Sequence, residues 1–362
     1  MTPSVDARER EALEKIERVR NMPPRFRDEQ ITMAHGAGGR ATASLIGGLF
    51  VPAFASASLA LQDDAGRIQL DGLGLALTTD SFVVRPLRFP GGSIGELAVN
   101  GTVNDLAVAG ARPAALTLSL VLEEGLSSDT LRAEVDAIAR AAKAAGVEII
   151  AGDTKVVERG HADGMYICTT GLGRIDPRAQ LSPASIRPGD RVLVSGRIGD
   201  HGVAIMLARG EFDLDATIES DTRSLWPAVD ALLDAAGSSL RCMRDATRGG
   251  VASVLNELAR SSNVAMIVHE ARVPVHPAVS GACELLGIDP MYVANEGKLV
   301  AVVAPDAAER ALSALRAVRG CEDAAEIGEV REEPPGMVLV HTAFGGRRVM
   351  DLLVGDPLPR IC

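Results

Sequence analysis

From Ile31 onward the chain alternates two kinds of segment, and that alternation limits the folds open to it. Short apolar runs closed by threonine, glycine or aspartate read as strands: residues 73–77 before Thr78-Thr79-Asp80, residues 147–151 before Gly152-Asp153-Thr154-Lys155, and residues 166–171. Between them, residues 94–109 and 131–145 carry a helical period. After the turn Ile186-Arg187-Pro188-Gly189-Asp190, strand-like 191–195 opens a second alternation, with helices expected at 203–209, 224–236, 251–261 and 307–318 and strands at 264–269 and 299–304. This is an α/β or α+β composition, and periodicity alone does not choose between them. Four parts follow: an extension at 1–30 with a thinly apolar helix over 6–20, a first domain at 31–180, a second at 181–345, and a mobile tail at 346–362.

A chain of 362 residues with 47% hydrophobic residues can fill two cores. The uncharged stretch 41–62 is broken by Gly47-Gly48, Pro52, Ser56 and Ser58 and reads as core, not as a membrane span. The formal charge of -11 is wrong for nucleic acid, and any anionic ligand must be held locally by amides, a few basic side chains or metal ions. Five cysteines without CxxC spacing argue against a disulfide framework or a zinc site. With no apolar leader, the expected location is the cytoplasm. Cys168, Cys242, Cys283 and Cys321 read as structural.

The acidic residues carry the chemistry. Asp63 and Asp64, Asp80, Asp105, Asp153 and Asp245 sit mostly where a strand ends or a turn begins, in apolar surroundings. One such aspartate is ordinarily an N-cap. Five regions repeating the pattern point to convergent carboxylates, which repel unless cations lie between them, and hard oxygen ligands favour Mg²⁺ bridged to phosphate. Asn100 and Asn104, four apart, share one helical face, either as ligand-binding groups or as satisfied core polarity. Three glycine-rich stretches suit phosphate: His35-Gly36-Ala37-Gly38-Gly39-Arg40, Pro90-Gly91-Gly92-Ser93-Ile94-Gly95, and Asp245-Ala246-Thr247-Arg248-Gly249-Gly250. Each alone is an ordinary turn; together with the aspartates they point to a nucleotide, with Thr154, Lys155, Thr247 and Arg248 beside it. His35 is placed to touch a triphosphate, and His201 reads equally well as satisfied surface polarity.

The chain ends Pro357-Leu358-Pro359-Arg360-Ile361-Cys362. Two prolines stiffen the approach while the last residues stay free, which suits an arm that carries a thiol. No residues follow the cysteine, so this is not a prenylation signal. The alternative is a frayed terminus whose cysteine is accidental.

Seven segments resemble one family in order: Thr79-Asp80-Ser81-Phe82, Phe89-Pro90-Gly91-Gly92-Ser93, Asn100-Gly101-Thr102-Val103-Asn104-Asp105, Gly152-Asp153-Thr154-Lys155, Asp245-Ala246-Thr247-Arg248-Gly249-Gly250, Ala294-Asn295-Glu296-Gly297-Lys298, and the terminal Pro359-Arg360-Ile361-Cys362. They look like HypE, the carbamoyl dehydratases of [NiFe]-hydrogenase maturation, over residues 31–362. The resemblance implies a two-domain aminoimidazole ribonucleotide synthetase-like fold: an N-terminal α/β domain that dimerises through its sheet, a C-terminal α+β domain, and ATP with Mg²⁺ in the groove between them. It further implies that a HypF carbamoyltransferase loads Cys362, that ATP-dependent dehydration makes a thiocyanate, and that a HypC–HypD complex accepts the cyanide. Glu296 and Lys155 are then the candidate proton-transfer pair, or an ion pair that merely orients ATP. A kinase or synthetase of the same superfamily is the rival enzyme, and a non-catalytic, nucleotide-dependent thiol carrier is the rival outside enzymes.

Overall fold

The computed structural model describes residues 25–210, 217–355 and 360–362. The helix expected at 6–20 and the prolines Pro357 and Pro359 lie outside the described residues.

The first domain opens with the hairpin β1 (Gly66–Leu70) and β2 (Leu73–Phe82), followed by the two-residue strands β3 (Arg88–Phe89) and β4 (Gly92–Ser93). Helix α1 (Ile94–Val108), β5 (Ala111–Glu123), α2 (Ser128–Ala145), β6 (Glu148–Val157) and β7 (Met165–Ile175) complete it. The sheet order is β1-β2-β7-β5-β6. Only β5 and β6 pair in parallel, and α2 supplies the crossover connection that a parallel pair needs. Strand alternation sends Ala76, Phe82, Met165, Ile167 and Thr169 inward, and Leu77, Thr79 and Ser81 to an exposed outer face.

Helix α1 is buried on nearly every side, which its almost continuous apolar sequence allows. The sheet covers one side and the second domain the other: Ala107 and Val108 pack with Leu225, Val229 and Leu232 of that domain.

In the second domain β8 (Arg191–Val194), α3 (Asp200–Ala208), α4 (Trp226–Ala236), β9 (Leu240–Asp245) and α5 (Gly250–Ser262) lead to β10 (Ala265–His269) and α6 (Pro277–Leu286). Strand β11 (Leu299–Val303), α7 (Ala308–Arg316), β12 (Ala325–Arg331), β13 (Val338–His341) and β14 (Arg347–Met350) follow. Seven strands form one sheet in the order β14-β13-β10-β12-β8-β11-β9. Helices α4 and α7 pack on one face through Leu232, Leu233 and Leu315, and α5 on the other through Leu255 and Leu258.

Two expectations need correction. Arg347–Met350, expected inside a mobile tail starting at residue 346, instead pair antiparallel with β13 as an edge strand. The stretch 41–62 is not core: none of its residues is buried, and Leu49, Phe50, Phe54, Leu59 and Leu61 are exposed. Its glycines and Pro52 divide it into short helical pieces, each too short to present a continuous apolar stripe.

Candidate functional site

The site lies where β2, α1 and the end of β9 meet the segment before β11. Inward-facing positions of β2 carry Thr78 and Asp80, and one face of α1 carries Asp105. Thr78 Oγ1 stands 2.8 Å from Asp105 Oδ2 and 2.9 Å from the carbonyl oxygen of Asp64, so it ties the loop before β1 to the helix. Asp245 ends β9, paired in register with Leu299.

These side chains crowd one another. Burial pushes Asp105 well above the usual carboxylate range, and Asp80, Asp245 and Asp64 push it the same way. Asp245 is raised well above that range by burial and by Asp64 and Asp80, and its Oδ2 has no hydrogen-bond partner. Burial also raises Asp80, against the pull of Arg248 and a hydrogen bond with Asp105. Two carboxyls can share that hydrogen bond only if one holds a proton. The adjacent pair resolves as well. Asp63 Oδ1 pairs with Arg244 Nη2 at 2.9 Å, whereas Asp64, also held by Arg244 at 2.8 Å, feels Asp80 and faces the cluster.

Glu296 is fixed through its backbone. Its N–H donates to Asp221 Oδ1 (3.0 Å), and its carbonyl accepts from Asn104 Nδ2 (3.1 Å). The carboxyl points inward with Oε1 unpartnered, and burial, followed by Asp245, Asp221 and Asp80, pushes it well above the usual range against Arg248. Asp221 itself stays low: burial pushes it up, but Lys298 at 2.8 Å outweighs that.

Beside Glu296 lies the chain's end. Val83 N–H donates to the Cys362 carbonyl (3.0 Å) and Arg85 N–H to the Arg360 carbonyl (3.3 Å), so the last residues run antiparallel to the chain leaving β2. Ile361 is buried in the core between the domains. Cys362 lines a pocket of about 40 Å³ with Asp80, Asp105, Asp245, Thr247, Arg248 and Glu296. It also borders a larger cavity of about 420 Å³, lined by His35, Gly36, Arg248, Gly249, Tyr292 and Leu353 among others. A thiol, three aspartates, a glutamate and an arginine therefore converge at the mouth of a space of nucleotide scale.

Other expected residues go elsewhere. Asp153, Thr154 and Lys155 lie on β6, the exposed edge strand, where Lys155 Nζ pairs with Asp153 at 2.6 Å. Register aligns Asp153 with Ser119, Cys168 and Ser81 on the outer face, opposite to Asp80. From β2 to β6 is three strand spacings, roughly 14 Å. Within one chain Lys155 and Glu296 are thus apart.

Asn104, offered as a ligand-binding group, uses its amide on protein: Nδ2 donates to the carbonyls of Arg223 and Glu296, and Oδ1 accepts from Leu225 N–H. Asn100 donates to Thr222 Oγ1 at 3.2 Å. Both latch α1 to the second domain. The stretch at residues 90–95 is also occupied, since Gly95 N–H donates to Glu134 Oε2 and Gly91 packs on the backbone of Ser220.

His35 lines the larger cavity, but its Nδ1 accepts from Thr32 N–H and its Nε2 bonds Asp28, both at 3.0 Å. A Cβ on Gly38 would come 2.7 Å from the Arg248 carbonyl, and one on Gly39 2.5 Å from that of Leu353, so these glycines let the loop approach the second domain. Gly249 and Gly250, both at positive φ, open α5 with a turn that L side chains avoid. Of the other cysteines, Cys242, Cys283 and Cys321 are buried and Cys168 is half-buried.

Sequence reasoning missed Asp221, Lys298, Arg244 and the part played by His201, which is fully buried and not surface polarity. Only Lys298, inside a quoted motif, left any local signal.

Residues 62–175 match the family described as AIR synthase related protein, N-terminal domain, and residues 187–341 match its C-terminal domain. A protein of Bradyrhizobium diazoefficiens named carbamoyl dehydratase HypE is 49% identical over 337 residues, 93% of this chain and 97% of that protein. A crystal structure of a HypE–HypF complex aligns with TM-score 0.81 at 44% identity, over 85% of this chain and 99% of that one. A crystal structure of the hydrogenase maturation protein HypE in complex with ATP aligns with TM-score 0.77 at 44% identity, over 92% and 100%.

Proposed function

The chain belongs to the HypE family of carbamoyl dehydratases, and from that premise we propose how its residues do the work. It is an enzyme of hydrogenase maturation that binds ATP, and a HypF carbamoyltransferase is its partner. The observation that carries the chemistry is the seat of Cys362 against Glu296 and the aspartates.

A carbamoyl group on the Cys362 sulfur, S–CO–NH₂, cannot lose its oxygen as oxide. The carbonyl oxygen attacks the γ-phosphorus of ATP and ADP leaves. One nitrogen-bound proton leaves as the imidate O-phosphate forms, and phosphate and the second nitrogen-bound proton leave in the elimination that gives S–C≡N. Glu296 takes a proton from nitrogen. Its carboxyl faces the pocket beside Cys362, and its unpartnered Oε1 is open to an N–H donor. Arg248, drawn to Cys362, Asp80 and Glu296, supplies positive charge beside the transferring phosphoryl group.

The residues fit Mg²⁺: four mutually repelling carboxylates, one with an orphaned buried oxygen, form a hard-oxygen set. Asp64, Asp80, Asp105 and Asp245 would hold it, and it would neutralise triphosphate charge. Among the described residues no three such groups already stand at metal-ligand geometry.

The chain is proposed to form a homodimer through the first sheet, whose uncovered side exposes Leu73 and Leu77 of β2, with β6 at the sheet's edge. Lys155 can then share the chemistry only from a second copy. Mixed dimers of Lys155→Ala with Cys362→Ala should recover part of the activity if it does. A HypC–HypD complex is the proposed cyanide acceptor and the cytoplasm the proposed location; among the described residues no helix is long and apolar enough to cross a membrane.

Mass spectrometry of the C-terminal peptide after incubation with HypF, carbamoyl phosphate and ATP tests the reading. Thiocyanate on Cys362 is expected, with its formation dependent on ATP. ATP bound without turnover on a carbamoylated Cys362 would leave the thiol-carrier alternative.

A further inference from the structure

Besides the backbone of the chain leaving β2, the seated tail is held by side chains of α3 and the turn after it. Arg209 donates through Nε to the Arg85 carbonyl at 2.7 Å and through Nη2 to the Arg360 carbonyl. His201, in the first turn of α3, is fully buried with Nε2 at 2.6 Å from the Ile361 carbonyl and Nδ1 at 2.8 Å from Ser220 Oγ. A carbonyl only accepts, so Nε2 carries the hydrogen, and Nδ1 accepts the Ser220 hydroxyl proton. Ser220 Oγ in turn accepts Thr222 N–H at 3.2 Å. The run Thr222 N–H, Ser220 O–H, His201 Nε2–H is directed from end to end and finishes on the peptide next to the reacting cysteine. Phe89 packs edge-to-face on the ring at 5.6 Å and holds its plane. Burial lowers the proton affinity of His201 and favours the neutral ring that this network needs.

The same loop serves Glu296. Asp221, next to Ser220, accepts Glu296 N–H. Residues 220 and 221 thus set both the peptide that carries the thiol and the residue that takes the proton.

We propose that His201 is a positioning residue for dehydration: through the Ile361 carbonyl it seats Cys362 against Glu296, and without that bond the tail leaves the pocket. His201 lines neither the pocket that holds Cys362 nor the larger cavity beside it. The proposal rests on the reading that Cys362 carries the group to be dehydrated, but its first readout does not need the reaction.

That readout is the rate at which iodoacetamide alkylates Cys362 in the homodimer with ATP present, measured on the C-terminal peptide. His201→Leu leaves the Ile361 carbonyl without its donor, so alkylation should rise about tenfold, the equivalent of one buried hydrogen bond. Thiocyanate formation should fall by a similar factor while loading by HypF is unchanged. His201→Gln keeps a donor for Ile361 and an acceptor for Ser220, and should restore both rates to near the parent value, which a merely structural histidine would not predict. Equal alkylation of folded His201→Leu and the parent overturns the proposal. Should His201→Leu not fold, Ser220→Ala removes only the hydroxyl that fixes the tautomer; faster alkylation is again expected, and an unchanged rate again overturns it. If the parent forms no thiocyanate yet the alkylation difference stands, the functional reading has failed and the positioning role has not.

Discussion

Replacing Asp105 by asparagine should make the protein more stable and less able to hold Mg·ATP. Asp105 faces Asp80, Asp245 and Asp64, all of which push its proton affinity up after burial has already done so. At an effective dielectric near 20, two ionised groups about 6 Å apart would repel by roughly 3 kcal/mol, and the hydrogen-bonded pair Asp105 and Asp80 by more. The ligand-free fold relieves most of that by retaining protons. What remains at neutral pH, recovered by an isosteric neutral side chain, is about 1 kcal/mol, or roughly 2–4 °C in melting temperature. The asparagine can still accept from Thr78 Oγ1 and donate to Asp80, so its geometry survives.

The pH dependence has a definite sign. The unfolded chain releases this proton near the ordinary aspartate value of about 3.9, while the folded chain keeps it to higher pH. In that window the native state binds more protons, so the contribution of Asp105 to stability falls as pH rises from about 4 through its raised folded value. Asp105→Asn removes this component and should flatten the profile. Mg·ATP at a hundred times its dissociation constant should stabilise the parent by about 2.7 kcal/mol and the variant by clearly less. Thermal unfolding across pH 4–8, with and without Mg·ATP, measures all three effects. A variant that is less stable at every pH yet gains as much from Mg·ATP would show that Asp105 is a structural acceptor and would refute the reasoning.

Glu296→Gln should accept carbamoyl on Cys362 but accumulate thiocarbamate, a species one water heavier than thiocyanate by mass spectrometry; rapid thiocyanate formation would remove Glu296 from proton transfer. Cys362→Ala should bind ATP nearly as the parent does and form no thiocyanate, and residues appended after Cys362 should slow dehydration more than loading, because the seat beside Glu296 is only about 40 Å³. Asn104→Ala leaves buried partners at Arg223, Leu225 and Glu296 unsatisfied. It should cost about 2–4 kcal/mol in chemical denaturation, and an unchanged midpoint would return Asn104 to the ligand-binding group.

Much of this protein was legible in its residues alone. Apolar runs and helical periods placed the starts of β2, β6 and β7, helices α1 and α2, and most of the second domain within a few residues, because strand alternation and helix amphipathicity are local consequences of burial; β2 and β6 run on to Phe82 and Val157, so Asp80 and Asp153 lie within strands and not at their ends. The acidic positions, the glycine-rich turn opening α5 and the terminal cysteine marked the chemistry, since crowded carboxylates and an exposed thiol are costly without a use. Strands β5, β12 and β14 carry Pro, Glu or Arg that blur the alternation, and only pairing with their neighbours makes them strands. Tertiary structure alone decided that Asp64 faces the cluster while Asp63 answers Arg244, and that Asp153 and Lys155 stand on the opposite side of the sheet from Asp80. It also decided that Asn104 is a latch and that His201 grips the tail. Each of these depends on which side chains meet across long stretches of chain. Such meetings are set by packing and by the need to satisfy buried polar groups, and neither leaves a periodic mark in the sequence.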